Sequence, residues 1–130
     1  MVVGISGNVY VGVVEDDDSQ RRSLARLLRA SGMQPVAYAS AEEFLADEKK
    51  PRFDCLVLDV QLAGMSGIEL RNQLAAEGIA TRVIFVTAYD NPSARAQALA
   101  GPCLGYFRKS DSGSEILDAI RREVGSSDHR

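Results

Sequence analysis

Four consecutive acidic residues follow a mostly apolar run near the start of the chain and pose the first chemical question. The run Asn8–Val14 ("NVYVGVV") predicts a buried β-strand, and the residues from Glu15 to Asp18 come directly after it. Two carboxylates about 4 Å apart repel each other by roughly 4 kcal/mol at an effective dielectric constant near 20. Water, a helix N-terminus, a basic side chain or a metal ion must therefore offset the repulsion between these acids.

Polar side chains with complementary chemistry follow three further apolar runs. Asp59 ends "FDCLVLD", Thr87 ends "RVIFVT", and Lys109 lies two residues beyond "LGYF". If the first and third strands are neighbours, the carboxylates of Glu15, Asp16 and Asp59 converge in one crevice. Hard oxygen ligands suit Mg²⁺, which is usually held by one or two carboxylates together with phosphate oxygens. The charges of three carboxylates, one Mg²⁺ and one lysine also sum to zero.

Strand-like and helix-like segments alternate along the chain and predict five βα units. A serine with a glutamate three residues later begins two helices, at Ser40 and Ser66, and Pro92 marks the first turn of another. Near-continuous Val/Ile/Leu strands predict a parallel sheet covered by helices on both faces. Right-handed crossovers make it a doubly wound sheet, with its functional crevice at the C-terminal strand ends. The predicted strands are Asn8–Val14, Pro35–Ala39, Phe53–Asp59, Arg82–Thr87 and Leu104–Phe107.

Composition predicts one globular domain in these 130 residues. A net charge of −3 argues against a nucleic-acid-binding surface on this domain. No apolar run approaches the roughly 20 residues of a membrane span, so we predict no membrane association. Cys55 and Cys103 are far apart in sequence and predict buried free thiols, which suit a cytoplasmic protein. We place the domain at residues 8–125 and predict flexible tails at residues 1–7 and 126–130.

With these motifs the chain resembles the receiver domains of two-component response regulators. The matching segments are "VVEDD", "CLVLDVQLAGMSG", "VTA" and "GYFRKS", in the family's order, and the resemblance covers about residues 9–124. It implies a flavodoxin-like (βα)5 three-layer sandwich with a parallel five-stranded sheet in the order 2-1-3-4-5. It also implies phosphorelay signal transduction, in which the domain receives a phosphoryl group from a sensor histidine kinase or a phosphotransfer protein.

The resemblance implies roles for the acidic residues and the lysine. Asp59 would be the phosphoryl acceptor in a reaction that depends on Mg²⁺ or Mn²⁺. The metal would be held by Glu15, Asp16 and Asp59 together with the backbone carbonyl of Gln61. Lys109 would pair first with Asp59 and then with the phosphoryl group. Such a domain catalyses its own phosphorylation and dephosphorylation and is not otherwise an enzyme.

The resemblance also implies a conformational switch. The hydroxyl of Thr87 would bond to a phosphoryl oxygen, and its movement would vacate space that the ring of Tyr106 could fill. The switch would alter the face formed by the fourth helix, fifth strand and fifth helix, which is the family's common signalling face and the face expected for a homodimer of this chain.

The chain departs from the family pattern at several positions. Glu15 stands where the family more often has aspartate, and Ala63 stands where a proline usually follows the acceptor by four residues. Ser110 replaces the proline after Lys109, and the family's Lys–Pro bond is normally cis. A cis bond before a non-proline residue costs about 2.5–4 kcal/mol. The bond is therefore either a strained cis peptide or trans with Lys109 placed differently.

Two other functions stay open at this point. The departures are compatible with a receiver-like protein-interaction module that phosphorylation does not drive, and Mg²⁺ affinity separates that function from phosphorelay. A Mg²⁺-dependent phosphohydrolase could use Asp59 as its nucleophile. Such an enzyme usually needs a second acid near the nucleophile, where this chain has Gln61.

Overall fold

The computed structural model describes residues 9–110 and 113–128. In these residues five parallel strands form one sheet in the order β2-β1-β3-β4-β5, and a helix follows each strand. This arrangement confirms the predicted doubly wound fold and its strand order. The strands are β1 (Tyr10–Val14), β2 (Gln34–Tyr38), β3 (Cys55–Asp59), β4 (Arg82–Thr87) and β5 (Gly105–Arg108). The helices are α1 (Asp18–Ala30), α2 (Ala41–Ala46), α3 (Gly67–Ala76), α4 (Pro92–Leu99) and α5 (Gly113–Asp128).

Element boundaries differ from the prediction by a few residues. The first strand begins at Tyr10, and the predicted start at Asn8 lies outside the described residues, as do positions 1–7. The last helix continues to Asp128, past the predicted domain end at residue 125. Pro35 lies within β2, which is an edge strand of the sheet. An edge strand tolerates proline because one side of its backbone has no ladder partner.

Helix starts follow the capping signals in the sequence. Asp17 is the N-cap of α1, and the Ser66 cap of α3 forms the complete capping box. The second predicted box is only half formed. Ser40 accepts a hydrogen bond from the backbone N–H of Glu43, but the Glu43 carboxylate accepts from Ala39 and not from the Ser40 backbone.

Apolar side chains on the two faces of the sheet pack into two clusters. Successive residues of a strand point to opposite faces, so Val13 and Val14 of β1 lie in different clusters, as do Val57 and Leu58 of β3. Cys55 is buried as predicted, and burial raises the pKa of its thiol to about 12. Cys103 is only partly buried, so that prediction was wrong in degree; the residue lies shortly before β5, an edge strand of the sheet. Within residues 9–110 and 113–128, no helix has the length and apolar character of a membrane span.

Arg71 of α3 is 3% exposed, and its positive charge is satisfied by neutral partners. Its guanidinium lies 5.3 Å from the ring centroid of Phe85. It donates to the carbonyls of Gln97 and Ala98 at 2.9 and 2.7 Å, and to that of Pro102 at 2.9 Å. These carbonyls lie at the end of α4 and in the loop that follows it, where a helix leaves carbonyls without a full set of helical partners. Arg71 therefore holds the C-terminal end of α4 against α3.

We expect Arg71→Met to lower the free energy of unfolding by about 2–4 kcal/mol, because three carbonyls lose a charged donor while the apolar stem is retained. Urea denaturation of the purified chain measures the change. The exposed Arg26 of α1 provides a matched control, and we expect Arg26→Met to change the unfolding free energy by less than about 0.5 kcal/mol. Equal losses in the two variants would contradict the role given to Arg71.

Candidate functional site

The acidic residues predicted from the sequence meet at the C-terminal ends of β1 and β3. These strands are neighbours, with Val14 opposite Leu58, so Glu15 and Asp16 follow β1 beside Asp59. One carboxylate oxygen from each of the three acids lies within 4.8 Å of those of the other two. Glu15 and Asp59 are 4% and 2% exposed, whereas Asp16 is exposed to solvent. The crevice therefore combines two buried anions with one that solvent can reach.

Lys109 supplies the positive charge in this crevice. Its Nζ lies 2.9 Å from Oδ2 of Asp59 and 2.8 Å from Oε1 of Glu15. Within the described residues no peptide bond is cis, so the bond from Lys109 to Ser110 is trans. The loss of the proline does not separate Lys109 from Asp59, because the backbone N–H of Lys109 is held by the carbonyl of Thr87 at 2.8 Å. The contact with Glu15 was not predicted from the sequence.

The electrostatics of the site favour an additional cation. The pKa of Asp59 is raised to about 6, mainly by burial and also by the negative charge of Glu15, while the hydrogen bond from Lys109 opposes the shift. Burial alone would lower the pKa of Lys109, but its bonds to the two carboxylates outweigh burial and raise it. Three carboxylates face one ammonium, which leaves two excess negative charges if all are ionised. A divalent cation with oxygen ligands, such as Mg²⁺, fits this set of donors.

Thr87 lies at the end of β4 and is fully buried. Its hydroxyl oxygen is 2.7 Å from Oε1 of Gln61 and 2.7 Å from the carbonyl of Tyr89, and it accepts from the Tyr89 N–H at 3.1 Å. A threonine hydroxyl carries one proton, so the two acceptors compete for it. The backbone N–H of Gln61 donates to Oδ1 of Asp59 at 3.0 Å, which connects Thr87 to the acidic crevice through one residue.

Tyr106 lies in β5 and packs against the apolar cluster that contains Leu58. Its hydroxyl is buried and has no hydrogen-bond partner among the described residues. Burial raises the pKa of this hydroxyl, and the nearby Asp90 carboxylate raises it further. The guanidinium of Arg95 on α4 covers the ring at 5.1 Å from its centroid. The unpartnered hydroxyl costs free energy, whereas apolar packing and the Arg95 guanidinium stabilise the ring.

Two further residues contact the site and were missed by sequence reasoning. Arg21 of α1 donates to the backbone carbonyl of Glu15 at 3.0 Å. Glu42 of α2 accepts from the backbone N–H of Met65, in the loop after Asp59, at 2.8 Å. Neither carries a local sequence signal, because each bond depends on how a helix packs beside a strand end.

Comparison of the chain with known protein families identifies the domain that contains this crevice. The family described as the response regulator receiver domain matches residues 11–121. The chain belongs to this family. The receiver domain is the signal-receiving module of two-component response regulators, as the resemblance of its motifs implied.

Related proteins agree with this receiver-domain assignment. Nodulation protein W of Bradyrhizobium diazoefficiens is 38% identical over 115 residues, which cover 88% of this chain and 51% of that protein. The transcriptional regulatory protein FixJ of Azorhizobium caulinodans is 33% identical over 117 residues, which cover 90% and 56%. The chain thus spans about half the length of these relatives.

Two solved structures share the receiver fold. The crystal structure of FixJ-N superposes with a TM-score of 0.82 at 28% identity, covering 92% of this chain and 95% of that one. A CheY-like receiver domain protein from Methanospirillum hungatei superposes with a TM-score of 0.85 and covers 94% and 98%. Its identity of 22% supports the fold alone.

Proposed function

We propose that this receiver domain accepts a phosphoryl group on Asp59 in a Mg²⁺-dependent reaction and thereby changes its partner-binding surface. The observation that carries the proposal is the buried Asp59 carboxylate, held by Lys109 beside Glu15 and Asp16. Buried like charges destabilise a protein unless opposite charges pair with them. A divalent cation would neutralise the excess negative charge of this crevice.

Asp59 acts as the nucleophile in this proposal. One of its carboxylate oxygens forms a bond to phosphorus while the P–N bond of the donor's phosphohistidine breaks, and the imidazole nitrogen keeps the electron pair. Phosphoryl transfer depends mainly on positioning and on neutralising charge at the equatorial oxygens. Lys109 is placed to contact one of these oxygens, since its Nζ already lies 2.9 Å from Asp59. The hydrogen bond from the Gln61 N–H to Oδ1 orients the carboxylate.

Glu15, Asp16 and Asp59 would hold the metal, together with the backbone carbonyl of Gln61. When bound, Mg²⁺ supplies charge neutralisation for the carboxylates and for the transferred group. Lys109 contacts oxygens of both buried acids, so it would share them with a bound cation and could also reach a phosphoryl group on Asp59.

The switch would begin at Thr87. A phosphoryl oxygen on Asp59 is a charged acceptor and competes for the single Thr87 proton against Gln61 and Tyr89. Reorientation of Thr87 toward the phosphoryl group changes the surroundings of Tyr106, whose hydroxyl has no partner in the described part of the chain. A local change in charge thereby biases a two-state side chain next to α4.

The phosphoryl donor in this proposal is a sensor histidine kinase or a phosphotransfer protein. The transfer would take place in the cytoplasm. The face of α4, β5 and α5 would contact the downstream partner or a second copy of the chain. Tyr106 of β5 and Arg95 of α4, whose guanidinium lies 5.1 Å from the centroid of the Tyr106 ring, belong to elements of this face.

Intact-protein mass spectrometry after incubation with acetyl phosphate tests the function. We expect a mass increase of one phosphoryl group in the presence of Mg²⁺ and none when EDTA replaces the metal. Isothermal titration with MgCl₂ measures metal binding in parallel. Absence of both the adduct and Mg²⁺ binding would overturn the proposal and favour a phosphorylation-independent interaction module.

Replacing the site lysine separates its two effects. We expect Lys109→Met to bind Mg²⁺ about threefold to tenfold more tightly, because the ammonium no longer competes for Glu15 and Asp59 oxygens. We also expect phosphorylation by acetyl phosphate to slow by about 10²-fold, because the ammonium that would stabilise negative charge on the transferred group is lost. Lys49→Met, which removes an exposed cation, is the control. Weaker Mg²⁺ binding in Lys109→Met would contradict the competition.

A further inference from the structure

The loop between β3 and α3 is held by carboxylates along its length. It begins directly after Asp59 and contains Gln61, so its position affects where two of the proposed metal ligands lie. Several backbone N–H groups of this loop point at acidic side chains. Gln61 donates to Asp59 at 3.0 Å, Ala63 to Asp16 at 3.3 Å, Met65 to Glu42 at 2.8 Å and Ser66 to Glu69 at 2.9 Å.

The four bonds differ in where the accepting carboxylate lies. Asp59 and Asp16 belong to the proposed metal site. The bond to Glu69 is local and belongs to the capping box of α3. Glu42 lies 23 residues from Met65, on α2, and takes no part in the acidic crevice. Glu42 is therefore the one of these four acceptors that joins the loop to a distant helix without belonging to the proposed metal site.

The bond between Glu42 and Met65 has the features of a strong contact. At 2.8 Å it is short for an N–H···O bond, and an ionised acceptor strengthens it. The bond lowers the pKa of Glu42, so the carboxylate stays ionised at neutral pH. The neighbouring Gly64 has φ +78°, and a Cβ placed there would lie 2.7 Å from Oε2 of Glu42. A side chain at residue 64 would therefore displace the Glu42 carboxylate from its present position.

We infer that Glu42 is a positioning residue that fixes the loop after Asp59 and thereby strengthens Mg²⁺ binding without touching the metal. The inference rests on the proposed function, because it takes the Gln61 carbonyl and Asp59 as metal ligands. When Glu42 is removed, the loop loses its hydrogen bond to α2. Metal binding must then order a looser loop, which costs conformational entropy.

Glu42→Ala and Glu42→Gln separate anchoring from charge. The amide oxygen of glutamine can still accept the Met65 N–H, whereas the negative charge is lost in both variants. We expect Glu42→Ala to weaken Mg²⁺ binding about threefold to tenfold and to speed hydrogen exchange at the Met65 amide of the metal-free protein by a similar factor. Glu42→Gln should recover most of both effects. Glu48→Ala removes an exposed acid that follows α2 and is the charge-matched control.

Isothermal titration and NMR hydrogen exchange on the full chain provide the two measurements. Equal weakening in Glu42→Gln and Glu42→Ala would overturn the inference, because charge alone would then explain it. Unchanged Mg²⁺ affinity together with unchanged Met65 exchange in Glu42→Ala would also overturn it. If the unaltered chain binds no Mg²⁺, the proposed function fails, and Met65 exchange in the metal-free protein still decides whether Glu42 anchors the loop.

Discussion

Asp59→Asn is expected to acquire no phosphoryl group from acetyl phosphate under conditions that phosphorylate the unaltered chain. An amide oxygen has almost the shape of the carboxylate oxygen but lacks the charge and nucleophilicity that attack on phosphorus needs. Intact mass measures the adduct directly. Asp118→Asn, which neutralises an exposed acid of α5, is the control and should be phosphorylated normally. An adduct on Asp59→Asn would place the acceptor at another residue.

The same substitution is expected to stabilise the metal-free protein. The folded-state pKa of Asp59 is about 6, above its ordinary value of 3.8, so the ionised carboxylate is less favourable in the folded than in the unfolded chain. In EDTA at pH 7, Asp59→Asn should therefore raise the free energy of unfolding by about 1–3 kcal/mol.

The pH dependence of this gain follows from the direction of the shift. Above about pH 6 the folded and unfolded carboxylates are both ionised, and Asp59→Asn shows its full gain in the free energy of unfolding. Between about pH 6 and pH 4 the folded carboxylate takes up a proton while the unfolded one stays ionised, so the gain shrinks. It should vanish below about pH 4, and urea denaturation across this range measures it. A gain that grows on acidification would contradict the raised pKa.

Gly67→Ala is expected to lower the free energy of unfolding by about 2–3 kcal/mol and to impair phosphorylation at the same time. A Cβ on Gly67 would lie 2.2 Å from the backbone oxygen of Asp59, 3.0 Å from its carbonyl carbon and 3.3 Å from Cβ of Leu58. Because two of these atoms belong to the main chain, no rotamer change relieves the contact. Either the start of α3 or the end of β3 must move, and the second movement displaces the acceptor itself.

Gly32→Ala separates steric crowding from backbone strain. Gly32 has φ +88°, and a Cβ there would meet no heavy atom of the described residues within 4 Å. Alanine at this position therefore costs only the left-handed conformation, about 1–2 kcal/mol. Gly67 has no positive φ, so its cost is the close contact with its neighbours alone. We expect Gly32→Ala to be phosphorylated normally after correction for stability. Normal phosphorylation of Gly67→Ala as well would contradict the close packing of α3 on the acceptor.

Local sequence determined most of the elements and the acidic site. Continuous apolar runs such as that of β3 have to be buried on both faces, and this requirement alone predicts a parallel sheet with helices on each side. The caps Asp17 and Ser66 act within four residues, so their effect on helix starts is readable without tertiary information. Asp59 ends β3 and Lys109 follows β5, and parallel strands bring their C-terminal ends to one edge. The meeting of these two side chains was therefore predictable.

Tertiary structure decided the contacts that join elements distant in sequence. Nothing near Arg71 indicates that an arginine of α3 closes α4, and nothing near Glu42 indicates that α2 anchors the loop after Asp59. Both contacts depend on the packing angle and distance between elements, and a hydrogen bond forms or fails within a few tenths of an ångström. The pairing of Lys109 with Glu15 as well as Asp59 likewise depends on the exact placement of a trans peptide after β5. Sequence patterns specify which face of an element is buried, but only the folded chain determines which polar atoms then come within bonding distance.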